Sequence, residues 1–73
     1  MDWALLVGGN IRRLRRERSL TQEQLAHLAG VDMRYLGGVE RGEHNPTVEV
    51  LGKLAEAMAA HPKDFFEAEH PEQ

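Results

Sequence analysis

Apolar and polar residues recur along this chain with a helical period, and no stretch shows the strict two-residue alternation of a half-buried strand. Val7, Ile11 and Leu14 fall at i, i+4 and i+7, on one face of a first helix, with arginines filling most positions between them. Gly8 and Gly9 weaken its start, so it begins either near Asp2 or after the glycines, and it should stop near Arg18–Ser19. The second helix has the clearest start signal. Thr21 can cap it, Gln24 completes a capping box, and Leu20 can staple onto Leu25. Leu25, Leu28 and Ala29 give its apolar stripe, and Gly30 is placed as its stop.

Only Val31 separates Gly30 from the next cap, Asp32, and Val31 with Leu36 forms a second staple. Leu36 and Val39 face the core of a third helix that Gly42 ends. "EHNPT" is a loop. Thr47 then caps a fourth helix with the stripe Val50, Leu51, Leu54, Ala55 and Met58. His61–Pro62 opens a last short helix carrying Phe65 and Phe66, because proline fits a first helical turn. The pattern predicts one all-α domain over residues 1–68 and a polar tail over 69–73. It contains one anomaly. Gly37 and Gly38 stand side by side in the short third helix, where each costs about 1 kcal/mol relative to alanine.

Charge changes the picture more than size does. The 73 residues suffice for one domain, which buries only roughly 60% of the surface its unfolded chain exposes. With no cysteine, neither disulfides nor thiolate metal sites can help, which leaves self-association. The net charge of −3 is unevenly spread. Residues 1–42 hold seven arginines against five acids, and residues 43–73 hold two lysines against seven acids. A basic front on an acidic chain keeps nucleic acid open as a partner. No apolar run approaches the roughly 18 residues of a membrane span, and the start "MDWALLVGGN" lacks the basic residues of a secretory signal. A cytoplasmic protein is expected.

Two short helices joined at a glycine turn, with arginines forward, make a helix-turn-helix. The stretch from Ile11 to Phe66, most of all "LTQEQLAHLAGV", "YLGGVERGEHNPT" and "PKDFF", closely resembles the lambda-repressor-like DNA-binding domains of the Cro and xenobiotic-response-element type. Within that family it looks most like the controller proteins of restriction–modification systems. The resemblance implies a compact five-helix domain acting as a sequence-specific transcriptional regulator. It also implies a homodimer on a near-palindromic operator, autoregulation, and residence in the cytoplasm, on the nucleoid when DNA-bound. The same domain can instead serve as an antitoxin or another protein-interaction module.

In such a motif the second helix enters the major groove with its first residues at base edges, while the first crosses the backbone. Met33, Arg34, Gly37 and Gly38 face outward as the base-reading set, with Tyr35 on the boundary. Arg34 is the principal reader, because its guanidinium fork matches two acceptors on guanine. The bare glycines either let the helix sit deeper in the groove or make no contact. By resemblance, Thr21, Gln22, Arg41 and Asn45 hold phosphates, with His44 where controllers often carry arginine. A neutral histidine there grips phosphate less than arginine does.

Arg15 and Glu40 match a family pair that orients the reading helix. For dimerisation the candidates are Phe65, Leu51 and Met58, with Phe66 completing the core. The four histidines are scattered, without a pair at i+3 or i+4, and no glycine-rich loop follows a strand. No catalytic site, cofactor, metal or small-molecule ligand is therefore expected, and double-stranded DNA and a second copy of the chain are the expected partners.

Overall fold

The computed structural model describes residues 1–68; the polar tail expected over 69–73 lies outside the described residues. Four α-helices, α1 (Trp3–Glu17), α2 (Gln22–Ala29), α3 (Met33–Glu40) and α4 (Val48–Ala57), precede a 3-10 helix over Pro62–Phe66. The fifth helix expected from the sequence is thus a single tight 3-10 element, and no strand occurs among the described residues. Among the described residues, no helix is long and apolar enough to cross a membrane.

Local signals set the helix starts. Asp2 caps α1, accepting the Leu5 N–H at 3.1 Å, so α1 begins ahead of its two glycines. Thr21 and Gln24 form a reciprocal capping box, with bonds of 3.0 and 2.8 Å. Asp32 and Thr47 cap α3 and α4. His61 accepts the Lys63 N–H through Nδ1 at 3.0 Å and opens the 3-10 helix. Each cap satisfies an amide that the helix cannot pair internally.

The core lies between α1, α3 and the 3-10 helix on one side and α2 and α4 on the other, built around Ile11, Leu25, Leu36, Leu54 and Phe65. Gly8 allows its tightest approach, because a Cβ there would overlap the Val39 carbonyl oxygen of α3. Asn10, a polar residue on the buried stripe of α1, donates through Nδ2 to the carbonyls of Phe65 (2.8 Å) and Glu67 (2.9 Å). It ties the end of the described chain to its first helix.

Three expectations about packing are corrected. Leu28 is 58% exposed, and the apolar stripe of α2 runs through Leu25, Ala26 and Ala29 instead. The two phenylalanines exchange roles: Phe65 is fully buried at 0% exposure, whereas Phe66 is 47% exposed. Met58, at 3%, also belongs to the core of the single chain. Phe65 and Met58 are therefore not free to meet a partner. The reason is helix type: the 3-10 helix, with three residues per turn and its Phe65 carbonyl held by Asn10, turns residue 65 inward.

Candidate nucleic-acid interface

The turn between α2 and α3 is made by Gly30, whose φ of +73° lies in the left-handed region that glycine enters without steric cost. The Gly30 and Val31 N–H groups donate back to the His27 and Ala26 carbonyls at 3.2 and 3.0 Å, closing α2. Leu25 and Leu36 are fully buried beneath the turn, so the two helices are held as a unit. The first turn of α3 then projects from the body. Met33 and Arg34 are exposed, and Tyr35 is half-buried, packed partly against the core.

One carboxylate sets the angle of α3. Glu40 accepts Arg15 Nε at 2.7 Å and Arg15 Nη2 at 3.1 Å, and its Oε1 also accepts Gln22 Nε2 at 2.9 Å. Arg15 donates a further bond to the Leu20 carbonyl at 2.7 Å. Thus α1, the loop before α2, α2 itself and α3 converge on one ion pair. The Gln22 amide, expected on phosphate, has part of its donor capacity directed inward.

Gly37 and Gly38 are both buried rather than facing open solvent, which corrects the expectation that they face outward. A Cβ on Gly37 would lie 3.2 Å from Arg41 Nη1 and 3.6 Å from the Gln22 amide. A Cβ on Gly38 would lie 2.5 and 2.6 Å from His44 Cδ2 and Nε2. Side chains from neighbouring elements occupy the space the glycines leave. The His44 ring also stacks on Tyr35, with centroids 5.2 Å apart and planes inclined by 20°.

Arg41 is drawn aside as well. Its Nε and Nη2 donate to the Glu43 carboxylate at 2.9 and 3.2 Å. A side-chain hydrogen bond from Arg41, with its positive charge, holds the Glu43 carboxyl below the usual carboxylate range, and Glu43 raises Arg41 in return. Thr21 is exposed at the head of α2, its Oγ1 engaged in the cap. Asn45 is exposed and lines an open cavity of about 140 Å³ with Trp3, Leu51 and Phe66. Arg34 is thus the cation aimed outward from α3, while Arg41 is shared with Glu43.

Sequence reasoning missed Asn10, Gly8 and Glu43. The signal for Asn10 was present, as a polar residue three positions after Val7 on the apolar stripe of α1. Gly8 and Glu43 act on residues distant in the chain or through a turn, and periodicity does not register them.

A pair of short helices held by a glycine turn, the second projecting its first turn from an all-helical body, defines a helix-turn-helix DNA-binding domain. The chain belongs to the helix-turn-helix family of the Cro and xenobiotic-response-element type, whose family model, described as Helix-turn-helix, matches residues 11–65. It is 50% identical over 58 residues to an uncharacterised HTH-type transcriptional regulator, y4dJ, of Sinorhizobium fredii, covering 80% of this chain and 75% of that protein. It is 41% identical over 58 residues to the control protein C.SmaI of Serratia marcescens, covering 80% of this chain and 69% of that one. Among solved structures it is similar to the restriction–modification controller protein C.AhdI of Aeromonas hydrophila. The TM-score is 0.84 at 41% identity, covering 86% of this chain and 96% of that one. The protein is a helix-turn-helix transcriptional regulator similar to controller proteins.

Proposed function

We propose that residues 1–68 act as one DNA-binding module. It works as a homodimer on a near-palindromic operator and regulates its own gene in the manner of controller proteins. The observation that carries this reading is the exposed first turn of α3, where Met33 and Arg34 stand clear of the body beside a half-buried Tyr35. Arg34 reads guanine, Met33 contacts a thymine methyl, and Tyr35 offers its hydroxyl. Thr21, Gln22, Arg41, His44 and Asn45 flank that turn as phosphate contacts, which fix register without reading sequence.

The dimer surface is the apolar face of Trp3 and Phe66 around the open cavity, which the mostly buried Leu51 also lines. Trp3 and Phe66 are exposed with ring centroids 6.5 Å apart, and an exposed aromatic pair of this kind favours an interaction surface. A two-fold dimer places its reading helices in half-sites about 34–36 Å apart.

Fluorescence anisotropy against the duplex upstream of the protein's own gene, with a random duplex as control, tests the reading. Tight, stepwise binding by dimers to the upstream duplex alone is expected. Equal weak binding to both duplexes would remove the autoregulatory assignment.

A further inference from the structure

Tyr35 and Gly38 lie three residues apart on one face of α3, and the His44 ring lies against both. It stacks on Tyr35 at 5.2 Å and fills the volume that a Cβ on Gly38 would need. The turn after α3 delivers it there. Gly42, at φ +79°, donates to the Val39 carbonyl at 3.0 Å, and the Glu43 N–H donates to the Gly38 carbonyl at 2.9 Å. The chain therefore doubles back over the last turn of α3. Glycine is the poorest helix former other than proline, so the helix alone would favour alanine at this position.

We propose that Gly38 is a seat for His44, holding the imidazole against Tyr35 so that it is presented to a DNA phosphate, and is not itself a point of close approach to DNA. This inference rests on the DNA-binding reading above. The imidazole supplies an N–H donor to a phosphate oxygen. Ordering the ring before binding removes rotamer freedom that would otherwise be lost on binding. With the ring in place, DNA meets His44 before it meets Gly38. The ring is the far end of an exposed side chain, so alanine at 38 displaces it without disturbing the core.

Two measurements on the full chain decide it. In the first, proton NMR of the free protein follows the His44 ring protons. They are expected to show the upfield shift of a ring stacked on Tyr35, and to lose it in Gly38→Ala. Unchanged ring shifts in Gly38→Ala would overturn the seat.

In the second, anisotropy on the upstream duplex compares wild type, Gly38→Ala, His44→Ala and the double variant, with thermal melts alongside. His44→Ala is expected to bind roughly 3- to 10-fold more weakly, the worth of one hydrogen bond. Gly38→Ala should match that loss while melting no lower than wild type, and the double variant should bind no more weakly than either single one. Additive losses, or an undiminished affinity in His44→Ala, would overturn the inference while leaving the DNA-binding reading standing. Failure of the wild type to prefer the upstream duplex would overturn both.

Discussion

Arg15 of α1 and Glu40 at the end of α3 form an ion pair closed to solvent, with side chains 9% and 1% exposed and bonds of 2.7 and 3.1 Å. With Gln22 on the same carboxylate, the pair fixes α3 to the two helices before it. Its contribution is one of orientation, because the cost of desolvating two charges offsets most of their attraction.

Removing one partner strands the other. Glu40→Ala is expected to cost about 3–5 kcal/mol in urea denaturation, because Arg15 is left charged and unpaired. Replacing both, as Arg15→Met with Glu40→Leu, should recover most of that stability. Operator affinity should stay low in the double variant, since the bond from Gln22 is still missing. Full recovery of affinity would show that the pair does not orient α3.

Gly8 and Gly9 are adjacent in α1 and opposite in environment. Gly8→Ala drives a Cβ into the Val39 carbonyl, a backbone atom that cannot rotate away, and should destabilise by about 1–3 kcal/mol despite alanine's better helix propensity. Nothing beyond its chain neighbours and its own helix backbone lies within 4 Å of the Gly9 Cβ position, so Gly9→Ala should stabilise by up to about 1 kcal/mol. Paired thermal melts check both signs.

The terminal phenylalanines should separate fold from assembly. Phe65→Ala is expected to cost about 3–5 kcal/mol, as for other fully buried aromatics. Phe66→Asp should leave the helical circular-dichroism spectrum unchanged while raising the dimer dissociation constant in sedimentation and weakening operator binding. An unchanged dissociation constant would move the interface away from the Trp3–Phe66 face.

Glu43 holds Arg41, one of the proposed phosphate contacts, in a two-bond ion pair. Glu43→Gln should tighten binding and steepen its salt dependence toward one additional phosphate contact. The carboxyl is held below its ordinary range, so it stays ionised to lower pH than a free glutamate. The part of the fold's stability linked to it is present above the unfolded value and is lost only as pH falls through the lowered one. Acidification should therefore release Arg41 below the usual carboxylate range, and a salt series at neutral pH isolates the effect of the substitution.

The caps at Thr21, Asp32, Thr47 and His61 and the stop at Gly30 were legible in the sequence, because a cap is a contact among residues two or three apart, whereas the start of α1 was left open between Asp2 and the glycines. The class of fold followed from them and from the apolar stripes. Phe65 and Phe66 were misassigned because five residues are too few to show a period, and the deciding bonds come from Asn10, 55 and 57 residues away. Leu28 was misplaced because Ala26 supplies the buried position on α2. The glycines of α3 were read as open surface because nothing local reveals that Arg41, Gln22 and His44 lie across them.

The bonds from Asn10 also bear on synthesis. Asn10 leaves the ribosome early, yet its acceptor at Phe65 is made 55 residues later, and Phe65 itself fills the centre of the core. Helices α1 to α4 all precede that ring in chain order, so the interior they enclose is incomplete until it is in place. A chain cut before residue 65 would therefore lack the ring at the centre of the core. The fold is complete only once the 3-10 helix that carries Phe65 has been made.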